Sequence, residues 1–201
     1  MCKTNLIISG GYFMNEKLGI FRSELDLIKD ERLRNFAEKI ISRLPDYFFK
    51  VPASSTGKYH PSYTLGKGGL VRHTKAAVGI AQELFNCNSI HSYNQKQKDI
   101  ITISLLLHDG VKNGIEYQPY TIATHPLEMV NFIKSQQDCI DLLTNEELRV
   151  ICNCIASHMG EWNKDYKTKR EVLPKPQKGI EKFVHMCDYL ASRKCLEYNF
   201  N

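Results

Sequence analysis

The stretch IITISLLLHDGVK, residues 100–112, decides how this chain folds. The run from Ile100 to Leu107 is apolar on nearly every side, so a helix formed by it is buried all round. It leads directly into His108 and Asp109, and an ionised carboxylate at the end of a buried helix needs a partner. The same stretch therefore predicts a core helix and a polar site at its end.

Helical periodicity extends from this stretch in both directions. Capping residues support it, since residues 144–147 fit the S/T-x-x-E capping box and Pro126 suits a first-turn position. A loop rich in glycine and proline is predicted over residues 51–69. No segment alternates like a strand, so we predict an all-α, compact single-domain fold. Its main helices are predicted over residues 24–44, 70–85, 96–107, 126–134, 144–158 and 179–197.

The composition is that of an ordinary globular domain, with 201 residues of which 42% are hydrophobic and 24% charged. The longest apolar run is too short to span a bilayer and the start is too brief for a secretory signal, so we expect a cytoplasmic protein with no membrane partner. The seven cysteines show no C-x-x-C spacing and are predicted to be reduced. The net charge of +5 favours an anionic partner.

Residues 1–20 show little periodicity and receive no predicted element. The codons of Gly10 and Gly11 could form a ribosome-binding site a short distance before Met14. Translation from Met14 is therefore a hypothesis. Residues 21–201 make up the predicted helical domain.

Several histidines and aspartates lie on the inward faces of the predicted helices. His73 is three residues after Leu70 and four before Ala77, which places it on the core face. A single inward histidine is usually a hydrogen-bonded core residue. Here, however, five helices or helix ends present His or Asp to the interior, and these are ligands that divalent metals prefer. The others are His108, Asp109, His125, His158 and Asp188.

The order H…HD…H…H…D of these six residues resembles that of the HD-domain metal-dependent phosphohydrolases. Residues 68–74, GGLVRHT, are similar to the family's G-G-L-x-x-H-T, and residues 105–112, LLLHDGVK, are similar to its L-L-H-D-I-G-K. The family's usual Ile appears one place later, as Val111, and its frequent H-H-G is here residues 158–160, HMG. The nearest subgroup by eye is the HD domain of bacterial 3′-to-5′ exoribonucleases, whose OB domain this chain lacks.

The resemblance implies that one metal is held by His73, His108, Asp109 and Asp188, and that Asp109 bridges to a second held by His125 and His158. Two cations roughly 3.5 to 4 Å apart acidify a shared water and stabilise charge on a phosphoester. Histidine-rich ligation suits Fe, Mn, Co, Ni or Zn better than Mg. Asp109 and Lys112 are the predicted catalytic residues, with Lys112 adding positive charge toward the phosphate.

Basic segments with interleaved aromatic residues flank the predicted site and are typical of phosphate and base binding. We therefore expect the substrate to be a phosphate-containing small molecule such as a nucleotide, or a short single-stranded nucleic acid. The alternative interpretation of these basic segments is an ordinary solvated surface. His91 and His185 are interpreted as surface or packing residues. The predicted substrate-binding residues are Lys58, His60, Lys67, Arg72, Lys167, Lys169 and Arg170.

Two other functions stay open at this stage. A few proteins that resemble the family use the same ligand order to hold a di-iron pair that activates O₂. A non-catalytic nucleotide-binding module is the other, although such a module is expected to lose ligands. The sequence does not indicate the oligomeric state.

Overall fold

A computed structural model describes residues 16–57, 60–87, 89 and 92–196, and in this part of the chain the fold is all α. The only β pairing there is an isolated antiparallel bridge between Lys164 and Glu171. None of the helices in the described ranges is long and apolar enough to cross a membrane. Residues 16–20 are helical. The helices that follow are α1 (Arg22–Leu25), α2 (Glu31–Arg43), α3 (Gly69–Phe85), α4 (Gln95–Leu107), α5 (His125–Lys134), α6 (Gln137–Ile140), α7 (Asn145–Ser157) and α8 (Gly179–Ala191), with short 3₁₀ helices at Asp46–Phe49 and Ser62–Thr64.

Helix α4 lies at the centre of the core and packs against α2, α3, α7 and α8. Asn94 begins it with a capping box, in which Gln97 is the reciprocal partner. Every residue from Ile100 to Leu107 is buried, as the sequence predicts. The helix ends at Leu107, so His108 and Asp109 emerge inside the protein rather than at its surface.

The prediction of one long helix over residues 24–44 is wrong, because the chain breaks between α1 and α2. The Asp30 carboxylate caps α2 by accepting hydrogen bonds from the amides of Arg32 and Leu33. The buried Asp99 carboxylate accepts the amides of Lys29 and Asp30 and so ties this break to α4.

The remaining predicted helices are confirmed, most of them to within one residue at each end. The Thr144 hydroxyl and the Glu147 carboxylate form the predicted capping box of α7. Helix α8 is shorter than predicted and ends at Ala191. There the Ser192 hydroxyl donates a hydrogen bond to the Tyr189 carbonyl, and this bond competes with continuation of the helix.

The described cysteines are free thiols. Cys139, Cys152, Cys154 and Cys187 are buried. Burial raises the pKa of Cys154 to about 12, so this thiol packs as a small apolar side chain. Cys2 and the hypothetical start at Met14 lie outside the described residues.

Candidate metal centre

Six side chains from five helices or helix ends meet in one cluster. Each comes from a different point of the core, yet their polar atoms converge to within hydrogen-bond distances. Five of them are buried and one, in α8, is partly exposed. They are His73 in α3, His108 and Asp109 just after α4, His125 at the start of α5, His158 just after α7, and Asp188 in α8.

The first donor group consists of His73, His108 and Asp188, together with one oxygen of Asp109. Asp188 Oδ1 lies 2.9 Å from His73 Nε2 and 3.4 Å from His108 Nε2. The two Nε2 atoms are 3.4 Å apart. Asp109 Oδ2 lies 3.5 Å from His108 Nε2 and 3.8 Å from His73 Nε2. Four donor atoms therefore surround one small volume.

The second donor group consists of the other oxygen of Asp109 with His125 and His158. Asp109 Oδ1 lies 3.0 Å from His125 Nε2 and 3.6 Å from His158 Nε2. The two imidazole Nε2 atoms are 3.4 Å apart. Asp109 thus directs one carboxylate oxygen toward each donor group.

Three of the four histidines are fixed in the tautomer that suits metal binding. The Nδ1 atoms of His108, His125 and His158 each lie 2.7 to 2.8 Å from the carbonyl of the residue three positions earlier. A carbonyl only accepts, so the proton sits on Nδ1 and Nε2 is left to face the cluster. His73 differs, because its buried Nδ1 has no hydrogen-bond partner in the described chain.

The cluster holds two carboxylates at low pKa. Burial raises the pKa of Asp109, but Lys112 and His108 outweigh burial and hold it well below the ordinary range. His108 and His73 do the same for the pKa of Asp188. Burial lowers the pKa of His108, yet these two carboxylates reverse the effect and raise it to about 10. The two ionised carboxylates therefore give the centre a negative charge that attracts cations. The proton bound to His108 is one source of the compensating positive charge.

The donor set fits a divalent cation. Asp109 Oδ1 is buried and makes no hydrogen bond of acceptable geometry with any described residue, although the His125 ring is close. A buried carboxylate oxygen without such a bond is costly unless a cation lies against it. Two overlapping sets of three residues bring ligand atoms within 4.8 Å of one another and could hold a metal ion. They are His73, His108 and Asp188, and His108, Asp109 and His158.

No family model, no curated protein and no solved structure matches the chain.

A cavity of about 390 Å³ opens onto the donor cluster. Lys112 lies in its wall, with Nζ 2.6 Å from Asp109 Oδ2. His60 is another wall residue, and burial together with the nearby Lys112 ammonium lowers its pKa to about 4, so its ring is neutral. The lining residues are His60, His73, Asp109, Lys112, His158, Met159, Trp162, His185, Asp188, Tyr189, Ser192 and Arg193.

His185 is a cavity residue that the sequence analysis interpreted as surface or packing. Its Nδ1 donates to the His158 carbonyl at 2.6 Å, which fixes the turn that follows α7. Gly160 makes this possible: it has φ +57°, and a Cβ there would lie 2.3 Å from the His185 ring. Two sequence signals could have indicated this contact. One is the glycine that follows His158 and Met159, and the other is the position of His185 three residues before Asp188.

Gly110 has a packing reason for its place after Asp109. A Cβ there would lie 2.8 Å from both Leu44 Cδ2 and Met129 Sδ. The apolar side chain expected from the family pattern is supplied by Val111, which is fully buried.

The predicted substrate-binding residues do not gather at the cavity. Only His60 lines it, and Lys58 lies outside the described residues, as does His91. The Arg72 guanidinium is engaged with the carbonyls of Tyr63, Leu65 and Lys67, so it holds the loop rather than facing the cavity. Lys67, Lys167, Lys169 and Arg170 are exposed and are absent from the lining.

Proposed function

We propose that this chain is a metal-dependent phosphohydrolase that cleaves a phosphoester of a nucleotide or of a short single-stranded oligonucleotide. The observation that carries the proposal is the position of Asp109: its Oδ2 faces His73 and His108, and its Oδ1 faces His125 and His158. A bridging carboxylate is the arrangement a two-metal site requires, because it reduces repulsion between the cations. The similarity of the sequence to the HD-domain phosphohydrolases supports the same reaction.

The residues would divide between two cations of a histidine-preferring metal such as Fe, Mn, Co, Ni or Zn. His73, His108 and Asp188 would hold one, His125 and His158 would hold the other, and Asp109 would contact both. When bound, such a pair acidifies water and stabilises negative charge on the attacking and departing oxygens of a phosphoester.

The protein's own side chains bind and orient the phosphate. The Lys112 ammonium supplies a positive charge in the cavity wall, where a phosphate oxygen would meet it. The neutral His60 ring can donate a hydrogen bond from Nδ1 to an ester oxygen, since this buried atom has no partner among the described residues. The carbonyl bonds of His108, His125 and His158 keep these rings from turning.

The free thiols are consistent with a reducing compartment, and we propose a cytoplasmic location for the protein.

An elemental analysis joined to a phosphoesterase screen tests the proposal. The purified protein is assayed for phosphate release from nucleotides, cyclic nucleotides and short oligonucleotides, with Mn²⁺, Fe²⁺, Co²⁺, Ni²⁺ and Zn²⁺. We expect turnover that requires one of these metals and is lost in Asp109→Asn. Bound metal without turnover on any phosphoester would contradict it.

The same preparation separates two other functions. Iron-loaded protein that reacts with O₂ and gives an oxidised product, with no phosphate released, would identify an oxygenase. Nucleotide binding that is unchanged by chelator, with no turnover, would identify a binding module.

A further inference from the structure

An aromatic and cationic cluster forms part of the cavity wall beside the donor cluster. The Trp162 and Tyr189 rings stack at an interplanar angle of 13°, with centroids 5.3 Å apart. The Arg193 guanidinium lies over Tyr189, with Cζ 4.2 Å from the ring centroid. All three residues line the cavity that contains Asp109 and Lys112.

This cluster is not ordinary core packing. Trp162 is 48% exposed, whereas the described aromatic residues of the core, such as Phe36, are buried. Arg193 has no carboxylate partner among the described residues, and its side-chain hydrogen bonds go to the Ser192 hydroxyl. An open aromatic face and an unneutralised guanidinium in one cavity suit a planar, anionic ligand.

The three residues of this cluster lie close in sequence to two of the donor residues. Trp162 follows His158 by four residues, through the turn at Gly160. Tyr189 directly follows Asp188 in α8, and Ser192 is one turn further. Because both groups line one cavity, a ligand whose phosphate lies at the donor cluster can place its next group at the aromatic pair.

We propose that Trp162, Tyr189 and Arg193 form a nucleobase subsite, in which the base stacks on the Trp162 ring while the phosphate reaches Lys112 and the donor cluster. The phosphate end of this inference rests on the proposed function. A cavity of about 390 Å³ is at the small end of ligand sites, which favours one nucleotide unit over several. That unit is a free mononucleotide or the terminal residue of a strand.

The protein reports on this subsite directly, because Trp162 is its one tryptophan. Stopped-flow fluorescence compares AMP, ribose 5-phosphate and a five-residue oligoadenylate before turnover occurs. We expect AMP to quench Trp162 and to bind about 5- to 150-fold tighter than ribose 5-phosphate, since stacking of one base is worth that much. Quenching by the oligoadenylate alone would assign the subsite to strand ends. Equal binding of AMP and ribose 5-phosphate without quenching would overturn the proposal.

Variants show whether the ring itself is responsible, with calorimetry replacing fluorescence. Trp162→Phe is expected to retain most of the preference for AMP. Trp162→Leu keeps apolar bulk, so it protects the fold, and is expected to lose the preference. The matched control is Tyr166→Ala, since Tyr166 is 83% exposed and outside the cavity lining, and it is expected to change nothing. An undiminished AMP preference in Trp162→Leu would reject the subsite.

Binding and turnover fail separately in this design. Base-dependent binding without hydrolysis of any phosphoester would leave the subsite standing and reject the hydrolase. Metal-dependent hydrolysis with no preference for AMP over ribose 5-phosphate would reject the subsite and leave the hydrolase.

Discussion

Glu147 and Asp109 are both buried carboxylates, but their surroundings give them different tasks. Glu147 accepts hydrogen bonds from Arg32 and from the Thr144 amide, and Lys96 Nζ lies 2.7 Å from it. The hydrogen bond from Arg32 is the main cause of its lowered pKa. This carboxylate is fully paired and joins α7 to α2 and α4.

Asp109 lies instead among the Nε2 atoms of four histidines, with the Lys112 ammonium and the protonated His108 ring as its cationic neighbours. Three of those histidines use their Nδ1 protons elsewhere, on backbone carbonyls. The comparison teaches that burial of an acid does not itself mark a functional site. What marks it is a set of several imidazole rings that surround the carboxylate and are held in place by backbone carbonyls.

Neutralising Asp109 should have the largest effect on activity. Asp109→Asn keeps the volume but removes the charge that holds a cation, so phosphoester turnover is expected to fall by about a thousandfold or more, as loss of several kcal/mol of charge stabilisation would give. Steady-state rates on the best substrate of the screen check this. Wild-type turnover in the variant would show that Asp109, like Glu147, is only structural.

Removing a histidine of the second donor group should have the next largest effect. In His125→Ala, turnover is expected to fall about 10²-fold, the usual cost of one preorganised charge-stabilising group. The first donor group is intact, so about one metal ion should remain per chain. Complete loss of metal from this variant would argue against two separable groups.

Neutralising Glu147 should affect stability and spare the chemistry. Glu147→Gln is expected to lower the free energy of unfolding by about 2 kcal/mol, because charge-assisted hydrogen bonds are lost while Arg32 and Lys96 can turn partly to water. Urea denaturation measures this change. Kinetic constants of the folded variant should match the wild type, and a specific loss of turnover would blur the distinction between the two carboxylates.

Much of this contrast could be predicted from local sequence. The all-apolar run before His108 predicts a buried helix end, and Thr144 with Glu147 predicts a cap, because both signals lie within one or two turns. The break between α1 and α2 could not be predicted in this way. Asp99 is 70 residues away from Lys29, and periodicity does not report such a contact.

The candidate site shows the same division. The order of the six donor residues indicates a cluster, whereas the roles of His185 and Arg72 depend on the tertiary structure. His185 contacts a carbonyl 27 residues away. Arg72 looked like a phosphate ligand by charge, but its guanidinium holds the preceding loop.

Metal binding at the donor cluster should release a proton from the protein. Glu147 should take no part in this release. The carboxylates of Asp109 and Asp188 raise the pKa of His108 to about 10, so at neutral pH a cation must displace this proton. Apparent metal affinity is therefore expected to rise with pH, about tenfold per unit between pH 7 and 9. Calorimetry in buffers of different ionisation enthalpy counts the protons. An affinity independent of pH over this range would contradict the assignment.

The exposed basic side chains of Lys167, Lys169 and Arg170 should contribute least to activity. Replacing Lys167, Lys169 and Arg170 with Ser is expected to raise KM for an oligonucleotide and to reduce its salt dependence, because fewer condensed counterions are released. KM for a mononucleotide should stay the same, since none of the three lines the cavity. Equal losses on both substrates would place these residues in the fold or in the catalytic step.

The most direct test of the central claim is the metal content of three proteins purified side by side: the wild type, Asp109→Asn and Glu147→Gln. Mass spectrometric elemental analysis is expected to give two divalent transition metal ions per wild-type chain and two per Glu147→Gln chain. Asp109→Asn should retain less than half of that amount, since both donor groups share this carboxylate. Equal metal content in Asp109→Asn and the wild type would contradict the account.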